Sequence, residues 1–201
     1  VNDVLVDGPD DAPATLLLAH GAGSGKEHPF LATIARGLAG PARRVVRFDF
    51  PYRAAGRRLP DRLPRLQDAM RTAAAMHGRG VVAFAGKSLG GRVASTLADE
   101  LGVRALLCLG YPFHPPKDAT TLRTAHLASL RTPTLILQGE RDPFGRRDEV
   151  AAYALSPAIA VHWLSDGDHD LRPRRASGAT PEGNLAAAIA AAETFLLRCG
   201  A

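Results

Sequence analysis

Short apolar runs alternate along the chain with longer segments of helical period. Thr15-Leu16-Leu17-Leu18-Ala19, Arg44-Val45-Val46-Arg47-Phe48, Val81-Val82-Ala83-Phe84-Ala85, residues 103–109, Thr134-Leu135-Ile136-Leu137 and Ala160-Val161-His162-Trp163-Leu164 predict strands. Residues 30–38, 63–76, 88–101, 147–155 and 181–197 predict helices, with Pro181 suited to a first helical turn. Strands that are apolar on both faces belong to a sheet covered on both sides. Their alternation with helices predicts right-handed crossovers, a mostly parallel sheet and an α/β class. The Pro-rich segments 59–64 and 111–116 read as loops within one domain spanning residues 1–201.

In such a sheet, ligands bind beyond the carboxyl ends of the strands. The residues that follow each strand therefore carry the chemistry. Gly86-Lys87-Ser88-Leu89-Gly90 falls between an apolar strand and a helical stretch, where G-x-S-x-G is a nucleophile-bearing turn. The serine must occupy a strained turn to present its hydroxyl, and side chains at the flanking glycines would collide with backbone. A phosphate-binding loop is the competing reading, and it fails on spacing. It needs glycine where Val81 stands, while Gly21 to Lys26 has His20 in the first glycine position and Glu27 in place of Ser or Thr.

A serine hydroxyl needs a base, and the base needs an orienting acid. On turns of this kind the chain order is serine, acid, histidine. Asp142 follows the strand at 134–137 and His169 follows the strand at 160–164, so the expected set is Ser88, Asp142, His169. Glu140 and Asp148 are substitute acids, and Asp142-Pro143 is also a common way to start a helix. Of the other histidines, His162 is expected to be packed within its strand, and His20 to shape the first loop. His77 and His126 lie away from strand ends, and His28 and His114 precede the acid. Two backbone donors for an oxyanion are expected from Leu89 and from Ala22 in the loop His20-Gly21-Ala22-Gly23-Ser24-Gly25. Gly23, Lys87, Tyr111 and His114 are expected to contact substrate. Lys87 either reads an anionic substrate group, or is a solvated surface lysine, or is paired with a carboxylate such as Asp49.

Composition narrows the function classes. The net charge is +5, but the arginines are scattered in short groups without interleaved aromatics, which argues against nucleic acid. No apolar run reaches the roughly 18 residues of a membrane span, and Val1 to Asp7 does not resemble a signal peptide. Two cysteines, Cys108 and Cys199, match neither a disulfide framework nor a metal motif. A cytoplasmic setting with neither metal nor cofactor is expected. The expected partner is a small ester-like molecule, and the oligomeric state is left open.

His20-Gly21-Ala22-Gly23, Phe48-Asp49-Phe50-Pro51-Tyr52, Gly86 to Arg92, Gly110 to Pro116 and Gln138 to Gly145 resemble a group of small bacterial α/β-hydrolase-like proteins. That group is distantly related to dienelactone hydrolases. Its eukaryotic relatives include a testis-expressed protein and a subunit of a chromatin acetyltransferase complex. The resemblance implies a three-layer α/β-hydrolase fold and a serine hydrolase acting on a small ester, thioester or lactone. A non-catalytic scaffold is the alternative it leaves open. Dienelactone hydrolases proper carry cysteine where Ser88 stands, so their substrate is not implied. Residues 111–131 are too few for a cap domain, so an uncapped core is expected.

Overall fold

The computed structural model describes residues 3–201. Seven strands form one sheet: β1 (Val4–Asp7), β2 (Ala14–Ala19), β3 (Arg43–Phe48), β4 (Val81–Lys87), β5 (Leu106–Leu109), β6 (Thr134–Gly139) and β7 (Ile159–Leu164). Their spatial order is β1-β3-β2-β4-β5-β6-β7. Every pairing is parallel except β1 with β3, where Val4 stands opposite Phe48. Six helices cover the sheet: α1 (Pro29–Leu38), α2 (Pro51–Ala54), α3 (Leu63–His77), α4 (Leu89–Ser95), α5 (Arg147–Val150) and α6 (Pro181–Cys199).

Side-chain alternation along the strands divides the core into two layers. Leu16 and Leu18 of β2 pack with Leu31 and Ile34 of α1 and with Ala188 and Ala192 of α6. Leu17 and Ala19 of the same strand pack with Met70 of α3, Val93 of α4, Phe48 and Phe84. Leu16, Leu17 and Leu18 are all fully buried, at roughly 2 kcal/mol each. This is the three-layer arrangement that the apolar runs imply. No cap domain is present among the described residues: between β5 and β6 the chain forms loops and one short 3-10 turn, Ala125–Ser129.

The structure corrects several boundaries and adds two elements. β1 and α2 are too short to show a period and were not expected. The expected helix at 88–101 is regular only over Leu89–Ser95. Ser95 and Thr96 turn their hydroxyls onto the carbonyls of Arg92 and Val93, and such back-bonding competes with the helical ladder. The helix expected at 147–155 is α5 alone, because the chain then tightens through Ala152 N–H to the Glu149 carbonyl and Tyr153 N–H to the Val150 carbonyl. That turn brings the Tyr153 ring to 5.6 Å from Phe113. His162, expected to be packed, is exposed. It lies on β7, an edge strand whose residues alternate in burial, and lines an open cleft beside Ala187 and Ala191 of α6.

Arg43 is the largest fully buried side chain. At the start of β3 it donates to the Leu38 carbonyl at 3.2 Å, the Ala201 carbonyl at 3.3 Å and the Glu193 carboxylate at 2.7 Å. One guanidinium thus joins the sheet, the end of α1 and α6. Burial pulls its pKa below the ordinary value, with the Glu193 charge acting the other way. Arg43→Met is expected to lower stability by about 2 kcal/mol, since the carbonyls lose their donor while half-exposed Glu193 regains water. Urea unfolding should show a lower midpoint with an unchanged slope.

Candidate active site

Ser88 is the N-cap of α4 and holds φ 49° and ψ −112°. This is a strained conformation for a residue with a side chain, and contacts from three directions keep it in place. A Cβ on Gly86 would stand 2.2 Å from the Gly90 carbonyl carbon, one on Gly90 2.5 Å from the Ala19 carbonyl oxygen, and one on Gly91 2.8 Å from the Gly86 carbonyl oxygen. The strand end, the helix start and β2 therefore meet backbone to backbone, which glycine alone permits. The Ser88 N–H donates to the Leu109 carbonyl at 3.0 Å, anchoring the turn to the neighbouring strand.

His169 Nε2 lies 2.9 Å from Ser88 Oγ, and its Nδ1 lies 2.8 Å from Asp142 Oδ2. With the Nδ1 proton directed to the carboxylate, Nε2 is left to accept from the serine hydroxyl. Asp142 is fully buried. Its other oxygen accepts the Phe144 N–H at 2.9 Å, and Gln138 Nε2 donates to Oδ2 at 2.9 Å. Asp142 does not start a helix, because α5 begins at Arg147 with Arg146 as its N-cap. The substitute acids are held elsewhere. Glu140 pairs with Arg147 and accepts the Asp166 N–H, and Asp148 lies exposed on α5.

The loop after β2 forms the facing wall. His20 is fully buried; its Nδ1 donates to the Gly21 carbonyl at 2.8 Å and its Nε2 accepts the Phe50 N–H at 3.0 Å. Burial lowers its pKa and outweighs the hydrogen bond and the nearby Asp49 charge, which act the other way. A neutral ring with both nitrogens occupied shapes the loop and is not free to act as a base. Gly21, Ala22, Gly23, Ser24, His28, Phe30 and Leu31 then line a cavity of about 320 Å³ with Lys87, Ser88, His169 and Asp170. Gly23 adopts φ 77°, which a side chain would resist. Leu89 is the first residue of α4, so its N–H has no partner within the helix.

Two expected substrate contacts are corrected. Tyr111 is fully buried and outside the cavity; its hydroxyl donates to the Arg123 carbonyl at 3.1 Å. His114 is also buried, with Nδ1 on the Pro115 carbonyl at 2.8 Å and Nε2 3.5 Å from Glu149. Tyr111 packs in the layer that holds Phe113 and Tyr153. Lys87 does line the cavity, but its ammonium is bound to the His169 carbonyl and to Asp170. The carboxylate expected beside it, Asp49, instead accepts the Lys26 N–H and stands 3.6 Å from His20.

Gln138 and Phe144 are two contributors that the sequence reading missed. Gln138 is fully buried; Oε1 accepts the Tyr111 N–H at 2.7 Å, and Nε2 donates to Asp142 and, at 3.3 Å, to the Tyr111 and Gly145 carbonyls. A polar residue at the end of the apolar run Thr134–Leu137 was the signal for it. The Phe144 ring lies 4.3 Å from the His169 ring, tilted by 34°. Among the described residues, no group of three His, Cys, Asp or Glu side chains stands ready to hold a metal.

Residues 12–197 match the family described as "Alpha/beta hydrolase domain". Solved structures agree over nearly the whole chain. A lidless α/β serine hydrolase from Xanthomonas campestris superposes with a TM-score of 0.73 at 21% identity, covering 98% of this chain and 88% of its own. A dienelactone hydrolase from Anabaena variabilis gives 0.74 at 21% identity, covering 97% and 90%. The esterase domain of a Rhodothermus marinus protein gives 0.68 at 21% identity, covering 96% and 91%. At this identity the likeness concerns the fold.

Replacing Gln138 by Met removes the acceptor of the Tyr111 N–H and one donor to Asp142 in a buried place. Stability is expected to fall by about 3 kcal/mol, the cost of leaving those groups unpaired. Chemical unfolding measures it, and a loss below about 1 kcal/mol would mean that water takes over these bonds.

Proposed function

Because the chain belongs to the α/β-hydrolase family, we propose that it is a serine hydrolase of small carboxylic esters, thioesters or lactones. The observation that carries this reading is the unbroken row Ser88 Oγ, His169 and Asp142, with links of 2.9 and 2.8 Å. In it, His169 Nε2 takes the Ser88 proton as Oγ attacks the acyl carbon, then gives that proton to the leaving group. Asp142 holds the imidazole and balances its transient positive charge. The acyl-enzyme on Ser88 is released by water, activated by the same histidine. The N–H groups of Leu89 and Ala22 stabilise the oxyanion. They belong to the start of α4 and to the loop that faces it. Neither metal nor cofactor enters the scheme.

The cavity supports a small substrate. Its volume of about 320 Å³ is at the lower end for ligand sites, and among the described residues no cap adds an apolar roof for a long acyl chain. Two free cysteines, Cys108 and Cys199, suit a reducing cytoplasmic setting. No helix among the described residues is long and apolar enough to cross a membrane. Its motif strings place the chain, in our reading, beside small bacterial proteins with eukaryotic relatives that serve in complexes. A scaffold has no use for a serine on a strained turn aligned with a histidine and a buried carboxylate from two other loops, which is why the enzymatic reading is preferred.

A fluorophosphonate probe is expected to label the wild type but not Ser88→Ala. On p-nitrophenyl esters, acetate and butyrate should turn over faster than decanoate. Asp142→Asn should lower kcat by about three to four orders of magnitude. A folded wild type that neither reacts with the probe nor cleaves short esters would overturn the proposal.

A further inference from the structure

Lys87 and Ser88 are consecutive, yet the lysine ammonium is held by the loop that bears the histidine. Its side chain is 9% exposed. Nζ donates to the His169 carbonyl oxygen at 2.7 Å and pairs with Asp170 Oδ1 at 3.3 Å. The face of the Phe30 ring lies 6.0 Å away. A buried ammonium must be compensated by charge and hydrogen bonds, and here the compensation comes from His169 and its neighbour. The Asp170 side chain is 58% exposed, so its carboxylate keeps part of its hydration beside the lysine.

The other attachments of His169 act on its ring. Asp142 holds Nδ1, and Phe144 lies against the face. Lys87 instead grips the main chain. Gly110 makes room for this grip. It adopts φ 63°, and a Cβ there would lie 2.8 Å from the His169 carbonyl oxygen and 3.3 Å from Lys87 Nζ. The loop itself is folded by Asp168, whose Oδ1 accepts the Asp170 and Arg172 N–H groups at 2.9 Å. Lys87 joins this preformed loop to the strand end that carries the nucleophile.

We propose that Lys87 is a positioning residue: its ammonium clamps the His169 backbone to the nucleophile turn, so that two adjacent residues of β4 and its turn hold both partners of the proton transfer. This inference deepens the hydrolase reading and rests on it. It replaces a role in reading substrate charge, because the ammonium is already occupied by a carbonyl and a carboxylate. Burial lowers the lysine's pKa, against which the Asp170 and Asp142 charges act. Burial also works against the Asp170 carboxylate, but the lysine charge and hydrogen bond, with His169 and Arg172, outweigh it and hold its pKa low.

The test combines kinetics with amide hydrogen exchange on the full chain. For Lys87→Met, kcat on a neutral short ester should fall about 10- to 100-fold, the cost of a slightly misplaced base. KM should stay within about twofold, and exchange of the amides at 165–172 should rise. Gly110→Ala keeps the ammonium but fills the space beside the clamped carbonyl; it should act in the same direction and carries the test if Lys87→Met does not fold. Unchanged kcat with unchanged exchange would overturn the clamp. So would a rise in KM confined to acidic esters, which would make Lys87 a reader of substrate charge. If the wild type shows neither turnover nor probe labelling, the hydrolase reading fails, while exchange at 165–172 still decides whether Lys87 holds the loop.

Discussion

The backbone of Ser88 is held where a side-chain-bearing residue does not rest by choice, at φ 49° and ψ −112°. Such a conformation costs about 1–3 kcal/mol and lasts only when its surroundings impose it. The surroundings are three backbones in contact: the end of β4, the start of α4 and the end of β2, separated by no Cβ at Gly86, Gly90 or Gly91. β4 is the central strand, with three strands on either side of it. The strain is therefore carried by the best-supported part of the sheet. The two apolar layers exist, in this sense, to keep one hydroxyl clear of its own main chain.

From that turn a line of polar contacts, partly exposed at Ser88 and fully buried at Gln138, runs along the carboxyl edge of the sheet. Ser88 meets His169, His169 meets Asp142, and Asp142 meets Gln138, which bonds both polar backbone groups of Tyr111. Lys87 joins the same line from beneath, through the His169 carbonyl. Hydrogen bonds of this kind are costly to leave half made, so each member constrains the next. β4, β5, β6 and the loop after β7 each contribute a residue at the edge. Their order in the sheet is what converts a strand sequence into a row of donors and acceptors.

Opposite this row the polar contacts serve shape. His20 uses both ring nitrogens on backbone, one on Gly21 and one on Phe50. It stands in the glycine loop much as Gln138 stands beneath the acid, a buried polar side chain that fixes backbone. The cavity between the two walls is small, and its floor is the nucleophile turn. The shape of this cavity is thus set by main-chain geometry as much as by side chains.

Much of this was legible in the chain itself. Local spacing marks the turn, since only glycine tolerates the contacts at positions 86 and 90. Right-handed crossovers imply a mostly parallel sheet whose carboxyl ends share one edge, so Ser88, Asp142 and His169 could be named as residues that follow strands; the order of the strands came from the structure. Hydrophobic runs of both-face burial implied three layers. What the chain could not show is where side chains point once a loop has folded. Tyr111 and His114 also sit just past a strand, yet they turn into the core. Lys87 reaches the His169 carbonyl, and Gln138 supports Asp142 across four residues. His162 is on an edge that periodicity cannot distinguish from a centre. Helix ends at Ser95 and Val150 were set by hydroxyl back-bonding and by the packing of Tyr153. Sequence determines the elements and the order in which their ends are reached, because those depend on local sterics and period. Partners and directions at the site were decided by the tertiary structure, because buried donors and acceptors must be satisfied by whatever the fold brings within hydrogen-bond reach.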